Sequence, residues 1–327
     1  MKKPSTAVGN LSHTEFVLLG FPGLQESRFL LFIPFFCLYV ISLVANCTVI
    51  YTIQVEENLH GPMYFLISLL SVVGLCGTTA IVPQMLVGLW LHPRHISLPS
   101  CLLQMFVIYV MIILDSSILL TMALDRYMAI CKPLRYRDIM NTSLLAGLGL
   151  AALIRAMSVA CPMVILASRL PFCRSNVIQH FACEHMALVS LACGSTLRNS
   201  LMGVVMGAFI VVFDLACILA SYSCIIHAAL KITSGSLRQK AFHTCGTQLA
   251  VMLFMYSSCL SSSIVYRLGR SISQDVHNLL SAIYLLLPST VNPIIYGIRT
   301  NEIRQRVLRS FLRRPVNNAK RPSTVKS

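Results

Sequence analysis

Residues 122–136 read MALDRYMAICKPLRY, and the interpretation of the fold starts from this stretch. It follows an apolar run that ends near Thr121, so Asp125 and Arg126 fall where a buried helix reaches water. Their opposite charges allow each side chain to hold the other in place at that boundary. On composition alone, the stretch is an ordinary solvated helix end whose charges help to set membrane orientation.

The composition of the chain indicates a membrane protein. It has 327 residues, of which 56% are hydrophobic and only 11% are charged, far below the charge of a soluble domain. A formal net charge of +15 would suggest a nucleic-acid partner if it lay on one soluble face, but here it is spread between apolar blocks. We therefore expect lipid and no nucleic acid as a partner. Lys2 and Lys3 precede polar sequence rather than a signal peptide, so the first span is expected to act as its own insertion signal.

Seven apolar segments are long enough to cross a bilayer, which takes about 20 residues. They cover residues 30–55, 63–90, 98–123, 143–168, 197–230, 241–266 and 276–298. The predicted organisation is an extracellular N-terminus (1–29), a seven-transmembrane domain (30–298), and a cytoplasmic amphipathic helix and tail (299–327). An odd number of spans places the two termini on opposite sides of the membrane.

The distribution of basic residues indicates which terminus is cytoplasmic. With the N-terminus outside, most of the 26 Lys and Arg residues lie in inner loops and the C-terminal tail, as the positive-inside rule requires. The sequon at Asn10 would then be usable for glycosylation, whereas those at Asn46 and Asn141 would be buried and cytoplasmic, respectively.

The motifs at the helix ends resemble those of olfactory receptors. Residues 122–136 contain every fixed position of the family signature MAxDRYxAICxPLRY at the inner end of the third helix. Further similar stretches are residues 59–66 (one residue shorter than the family pattern), 240–245 and 288–296, although His243 stands where the family usually has Ser. Arg155 and Asp214 fit the class I (fish-like) branch. The resemblance covers nearly the whole chain and implies an all-α seven-transmembrane bundle with a short amphipathic eighth helix near residues 302–312.

Several polar residues fall inside the predicted spans, where an ionisable group is costly and indicates a function by default. Asn46 is interpreted as hydrogen-bonding to a neighbouring helix, and Arg155 and Asp214 as structural partners for polar groups in the bundle. Asn292 is a further polar residue inside a predicted span. Asp115 matches one acidic residue of the family's sodium site. Its usual acidic neighbour is replaced by Gly74, so Asp115 is either protonated or paired elsewhere, and control by sodium is in doubt.

Four of the 13 cysteines are predicted to face outside, where disulfides form. These are Cys101, Cys173, Cys183 and Cys193, and spacing leaves all three pairings open. The resemblance implies Cys101–Cys183, which ties the third helix to the second outer loop, and Cys173–Cys193, which closes that loop. Metal binding by these cysteines with His180 and His185 is the less favoured alternative, and we predict no bound metal or cofactor.

A seven-span chain could be a channel, a transporter, an intramembrane enzyme or a receptor. The repeat symmetry of transporters and the signature of a catalytic site are both missing from the sequence, so we expect no enzyme. The resemblance implies a plasma-membrane odorant receptor that couples to the stimulatory olfactory G protein and raises cyclic AMP. The residues implied in coupling are Asp125, Arg126, Tyr127, Tyr222 and Tyr296.

The predicted ligand is a small volatile organic molecule bound in the outer half of the bundle. Arg267 and Ser263 are four residues apart on one helix face, and the resemblance associates an Arg at this place with carboxylic acids. The alternatives are that Arg267 is a boundary charge that reaches water, or that an uncharged ligand uses the same cavity. The other candidate ligand-binding residues are Tyr109, Met206, Met186 and Cys259.

Overall fold

A computed structural model of the chain describes residues 12–24, 26–91, 94–231, 235, 238–239, 242, 245–246, 249–257, 273–300 and 303–307. Within this part, six helices are long and apolar enough to cross a membrane. They are α1 (Arg28–Val55), α2 (Pro62–Trp90), α3 (Leu98–Cys131), α4 (Thr142–Ser168), α5 (Leu197–Leu230) and α7 (Gln274–Arg299). The sixth predicted span is described continuously over residues 249–257, which form α6, and α8 covers residues 303–307.

Local sequence explains where several helices begin. Pro62 occupies the first turn of α2, where its missing N–H costs no hydrogen bond. The side chain of Ser97 accepts a hydrogen bond from the backbone N–H of Ser100 at the start of α3, and Asn141 caps α4 by accepting from Leu144 N–H at 2.8 Å. Such caps satisfy backbone donors that have no partner within the helix.

The predicted end of the third span at residue 123 was too early, because α3 continues to Cys131. The backbone N–H of Lys132 still donates to the carbonyl of Met128, and the chain then turns at Pro133, which disfavours further helix in the residue before it. Asp125 and Arg126 therefore lie on the last turns of α3.

The long helices bury polar residues between them and expose apolar side chains outward. Asn46, Asp214 and Asn292 are buried, whereas Phe209, Val212 and Leu219 of α5 are each 66% exposed. A soluble protein rarely presents so continuous an apolar surface. Around a membrane protein the same side chains face lipid.

The N-terminal segment forms part of a small sheet that sequence analysis did not predict. β1 (Glu15–Leu18) pairs antiparallel with β2 (Arg94–Ser97) and parallel with β3 (Val177–Ile178), so β1 is the middle strand. Phe16 is fully buried and packs edge-to-face on Phe172 of the second outer loop, with 5.3 Å between ring centroids. The sheet joins the N-terminal segment to the loops before α3 and α5.

The N-terminal segment and second outer loop also contact the start of α7. The Gly23 N–H donates to Asp275 at 3.1 Å, and the Gln274 side chain donates to the carbonyl of Gln179 at 2.9 Å. At the other end of the bundle, Arg306 of α8 pairs with Glu56 after α1 at 3.2 Å. The described part of the predicted amphipathic helix buries Ile303 and exposes Arg304.

Candidate functional site

A cavity of about 200 Å³ lies in the bundle beneath the second outer loop. Its walls come from α3, α4, α5, α6 and α7, and most of the lining side chains are apolar. Gly203 and Gly207 stand four residues apart on α5 and line the same wall, where their missing side chains leave room. An ideal Cβ built on Gly207 would have no atom within 4 Å, so the space beside it is open. Such a cavity suits a small organic molecule.

The roof of the cavity is a short stretch of loop anchored by a disulfide bond. Cys101 at the start of α3 is bonded to Cys183, with 5.3 Å between their Cα atoms. The Cys183 N–H also donates to the side-chain oxygen of Gln104 at 2.9 Å. Glu184 then caps a short helix (His185–Val189) by accepting from Ala187 N–H at 3.0 Å. The roof is thus fixed to α3 by both a covalent bond and a hydrogen bond.

The remaining outer cysteines form a second disulfide within the loop. Cys173 and Cys193 are bonded, with 5.7 Å between their Cα atoms. No cluster of three or more metal-binding side chains occurs among the described residues.

His180 lies beneath the N-terminal segment and is 1% exposed. Its ring stacks on Phe181, with 4.4 Å between ring centroids, and Nδ1 is 2.9 Å from the carbonyl oxygen of Ala182. Burial lowers the pKa of His180 to about 4, and the nearby His277 contributes to the lowering, while the Ala182 contact opposes it. His180 is therefore neutral at physiological pH.

Three of the predicted ligand-binding residues line the cavity. Tyr109 lies on α3, Met186 in the roof and Met206 on α5. The other three, Cys259, Ser263 and Arg267, lie outside the described residues, as does the predicted glycosylation site Asn10.

A buried polar network forms the floor of the cavity. Ser116 of α3 and Tyr256 of α6 line the cavity, and both donate to Oδ2 of Asp214 on α5, with the Tyr256 hydroxyl at 2.7 Å. Arg155 of α4 donates to Oδ1 of Asp214 at 2.7 Å and to the Ser117 hydroxyl at 3.2 Å. Four helices therefore meet at one carboxylate, whose charge is balanced by the guanidinium.

A second, smaller cavity of about 40 Å³ lies beside Asp115. Oδ1 of Asp115 is buried and has no hydrogen-bond partner among the described residues. Gly74 lies nearby in the bundle: a Cβ there would come within 3.4 Å of Ser289 and 3.6 Å of the Asn46 side-chain oxygen. The Asn46 amide donates to the Ser289 carbonyl at 2.9 Å, so this asparagine ties α1 to α7.

Near the C-terminal end of α3, Asp125 contacts both its neighbour Arg126 and the segment that follows the helix. The Arg126 guanidinium is 3.6 Å from Oδ2 of Asp125, and the Tyr136 hydroxyl donates to Oδ1 at 2.6 Å. Burial and the Asp125 carboxylate raise the pKa of Tyr136, which keeps its hydroxyl protonated. Asp125 is fully buried, whereas the Arg126 side chain is 21% exposed.

The three other tyrosines predicted for coupling belong to one apolar cluster of the bundle. Tyr222 of α5 and Tyr296 of α7 are buried, and their hydroxyls have no partner among the residues that the structure describes. Tyr127 packs against the same apolar cluster. These three rings lie in one cluster with residues of α1, α2, α3 and α6.

Ser116, Ser117 and Tyr256 of the floor, and Tyr136 as the partner of Asp125, were not predicted from the sequence. A usable signal existed for the first two, because Asp115-Ser116-Ser117 is a polar run inside an apolar span. Tyr136 is the last fixed position of the signature that also contains Asp125, but the signature does not show that the two side chains are bonded. Tyr256 gave no comparable signal, because its partner Asp214 is 42 residues away in the sequence.

Comparison with known proteins identifies the family. Residues 35–314 match the family model described as olfactory receptor. Human olfactory receptor 52K1 is 41% identical over 299 residues, covering 91% of this chain and 95% of that protein. Rat (Rattus norvegicus) olfactory receptor 51E2 is 39% identical over 302 residues, covering 92% of this chain and 94% of that protein.

These matches and the bundle of long apolar helices agree on both sequence and architecture. The chain therefore belongs to the class I branch of the olfactory receptor family, and is a seven-transmembrane, multi-pass plasma-membrane receptor for odorants rather than an enzyme.

Proposed function

We propose that this receptor binds its odorant in the 200 Å³ cavity and activates the stimulatory olfactory G protein, which raises cyclic AMP. The observation that carries the proposal is the cavity itself, which is mainly apolar and lies under a disulfide-anchored roof. Its size and lining suit a small aliphatic or cyclic molecule. The N-terminus and roof face the outside, so an odorant reaches the cavity from that side.

The floor network supports a route from ligand to helix movement. Tyr256 of α6 lines the cavity, and its hydroxyl donates to Asp214 of α5. A ligand that contacts the Tyr256 ring therefore acts on the residue that connects α6 to α5. A ligand shifts a conformational equilibrium only by binding one state more tightly than the other. We propose that the odorant favours the state in which the inner end of α6 moves outward and Arg126 becomes available to the G protein.

Filling the cavity tests where the odorant binds. Gly207→Phe would place a ring in the open space beside α5 and should abolish odorant-evoked cyclic AMP in cells that display the receptor. Gly147→Phe is the matched control, because Gly147 is exposed on α4 with no atom within 4 Å of a built Cβ. Equal responses of both variants and the wild type, at equal surface display, would exclude the cavity as the binding site.

For the chemical class of ligand, we propose a carboxylic acid anchored by Arg267, with Ser263 adding a hydroxyl contact. The planar guanidinium suits a carboxylate. Arg267→Ala should weaken the potency of an acidic agonist by ~1.5–3 kcal/mol, the range for a hydrogen bond to a charged group, and Arg267→Lys should restore only part of it. If Arg267→Ala leaves the potency of every active ligand unchanged, Arg267 is a surface charge and the carboxylic-acid proposal fails. The alternative is an uncharged ligand in the same cavity.

A further inference from the structure

We propose that the smaller cavity beside Asp115 is a second ligand subsite, which takes the amine or other hydrogen-bond-donating end of an odorant. The inference deepens the proposed function and rests on its assignment of the 200 Å³ cavity to the odorant. The further claim is that the smaller cavity recognises a particular chemical group at one end of the odorant.

The two cavities are neighbours. Five side chains line both cavities, so the two share a wall. These are Ile108, Ile112, Met255, Tyr284 and Leu285. The smaller cavity measures about 40 Å³, and a site of ~10–15 Å³ on this kind of measure already holds a water molecule. It has room for a small polar head group whose apolar body remains in the larger cavity.

Asp115 gives the smaller cavity its chemistry. Its carboxyl lines the cavity, and the buried Oδ1 has no partner among the described residues. A buried acceptor without a partner is costly, so a donor that reaches it gains more than the same contact would in water. The rest of the lining is largely apolar and comes from α2, α3, α6 and α7.

The contrast with Asp214 shows that the bundle neutralises one acid and leaves a buried oxygen of the other without a partner among the described residues. Asp214 is held by Arg155, Ser116 and Tyr256. The lining of the two cavities, taken over the described residues, contains the carboxyl groups of Asp115 and Glu184 and no Lys or Arg. That charge pattern favours a cationic or neutral donor at the inner end.

Direct binding to purified full-length receptor in detergent tests the subsite. The probes are benzylamine, benzyl alcohol and toluene, which share one ring and differ in the head group. Dissociation constants come from the concentration dependence of the thermal shift. Because a hydrogen bond to a charged group is stronger than a neutral one, we expect benzylamine to bind at least about tenfold more tightly than toluene.

Three variants separate the subsite from general effects on the fold. Asp115→Asn should remove the preference for benzylamine while leaving toluene binding intact, and Asp138→Asn, an exposed acid in a cytoplasmic loop, should keep it. Gly77→Val should have the same effect as Asp115→Asn by filling the smaller cavity, since Gly77 lines it. Gly77→Val decides the question if Asp115→Asn does not fold.

Two results would overturn the proposal. One is equal binding of benzylamine and toluene by the wild type, or a preference for benzylamine that survives in the variants. The other is that sodium chloride, compared with choline chloride, stabilises the wild type through Asp115 and prevents the benzylamine shift, because a metal ion would then hold the site. The readout is binding alone, so a silent cyclic-AMP assay would count against the proposed function and not against this subsite.

Discussion

Arg155 of α4 and Asp214 of α5 form an ion pair, with 2.7 Å between Nη2 and Oδ1. The carboxylate is completely buried, while the guanidinium side chain is 21% exposed and lies 5.9 Å from the centre of the Phe213 ring. A lone charge at this depth would be costly in a membrane. Each charge therefore lowers the cost of burying the other, and Ser116 and Tyr256, which donate to Asp214, line the 200 Å³ cavity.

The first prediction concerns the stability of this pair. Arg155→Met should lower the free energy of unfolding by ~3–5 kcal/mol, because it leaves the Asp214 carboxylate buried without its cation. The measurement is thermal unfolding of the purified receptor. Arg155→Met combined with Asp214→Leu should recover most of the loss, since no charge then remains buried. A single variant as stable as the wild type would show that the pair is energetically unimportant.

The second prediction concerns coupling. Arg126→Ala should abolish agonist-evoked cyclic AMP, because Arg126 is the proposed contact for the G protein, while surface display survives, because Asp125 keeps its hydrogen bond from the Tyr136 hydroxyl. Antibody staining of an N-terminal tag measures display in the same cells. A well-displayed Arg126→Ala receptor that signals normally would remove Arg126 from the coupling mechanism.

The third prediction concerns the roof. Cys101→Ser and Cys183→Ser should each prevent surface display, because the loss of an extracellular disulfide costs ~2–5 kcal/mol and releases the roof from α3. Cys224→Ser is the control, since Cys224 is a free, exposed cysteine on α5. Peptide mapping of surface receptor provides a second readout, and a free thiol at either position would contradict the bond.

The fourth prediction concerns sodium. With Gly74 in place of a carboxylate near Asp115, replacing sodium by a large organic cation should leave agonist potency unchanged. Gly74→Asp is the informative partner variant, because a Cβ at this position makes only ordinary contact with Ser289. We expect it to introduce a sodium effect. A clear effect in the wild type would mean that another group completes the site.

The fifth prediction concerns pH. The pKa of His180 is lowered from the ordinary value of 6.5 to about 4, chiefly by burial, so the unfolded chain takes up a proton before the folded one does. The stabilising contribution of neutral His180 is complete above pH 6.5 and is lost as the pH falls toward 4, by up to ~3 kcal/mol.

Thermal unfolding between pH 7 and pH 4.5 measures this effect. His180→Asn should flatten the dependence, because the amide oxygen can replace Nδ1 as acceptor for the Ala182 N–H and does not titrate. His95→Asn, at an exposed position on β2, should retain it. Identical pH dependence in all three proteins would show that His180 does not control acid stability.

Much of the architecture could be predicted from the sequence, because a bilayer demands long apolar segments and helices satisfy their own backbone groups. The start of α5 at Leu197 and its end at Leu230 were predicted to the residue, whereas the end of α3 was placed eight residues too early. The apolar pattern indicates which residues contact lipid, but a helix can continue into water beyond them, as α3 does. β1 was missed because this four-residue strand is formed by partners that are distant in sequence: Glu15 pairs with Ser97 and Val17 pairs with Val177.

The sequence by itself determined the family, the number of spans, and which residues carry charge inside them. Only the tertiary structure decided what those charges do. Asp115 and Ser116 are neighbours in the chain, yet one helical step of about 100° turns them to different cavities. Ser116 thereby joins Asp214, Arg155 and Tyr256 in a satisfied network, while Asp115 keeps a buried oxygen without a partner among the described residues. The direction in which each side chain points, and the helices packed around it, decide whether it finds a partner. The local sequence around Asp115 and Ser116 does not specify either.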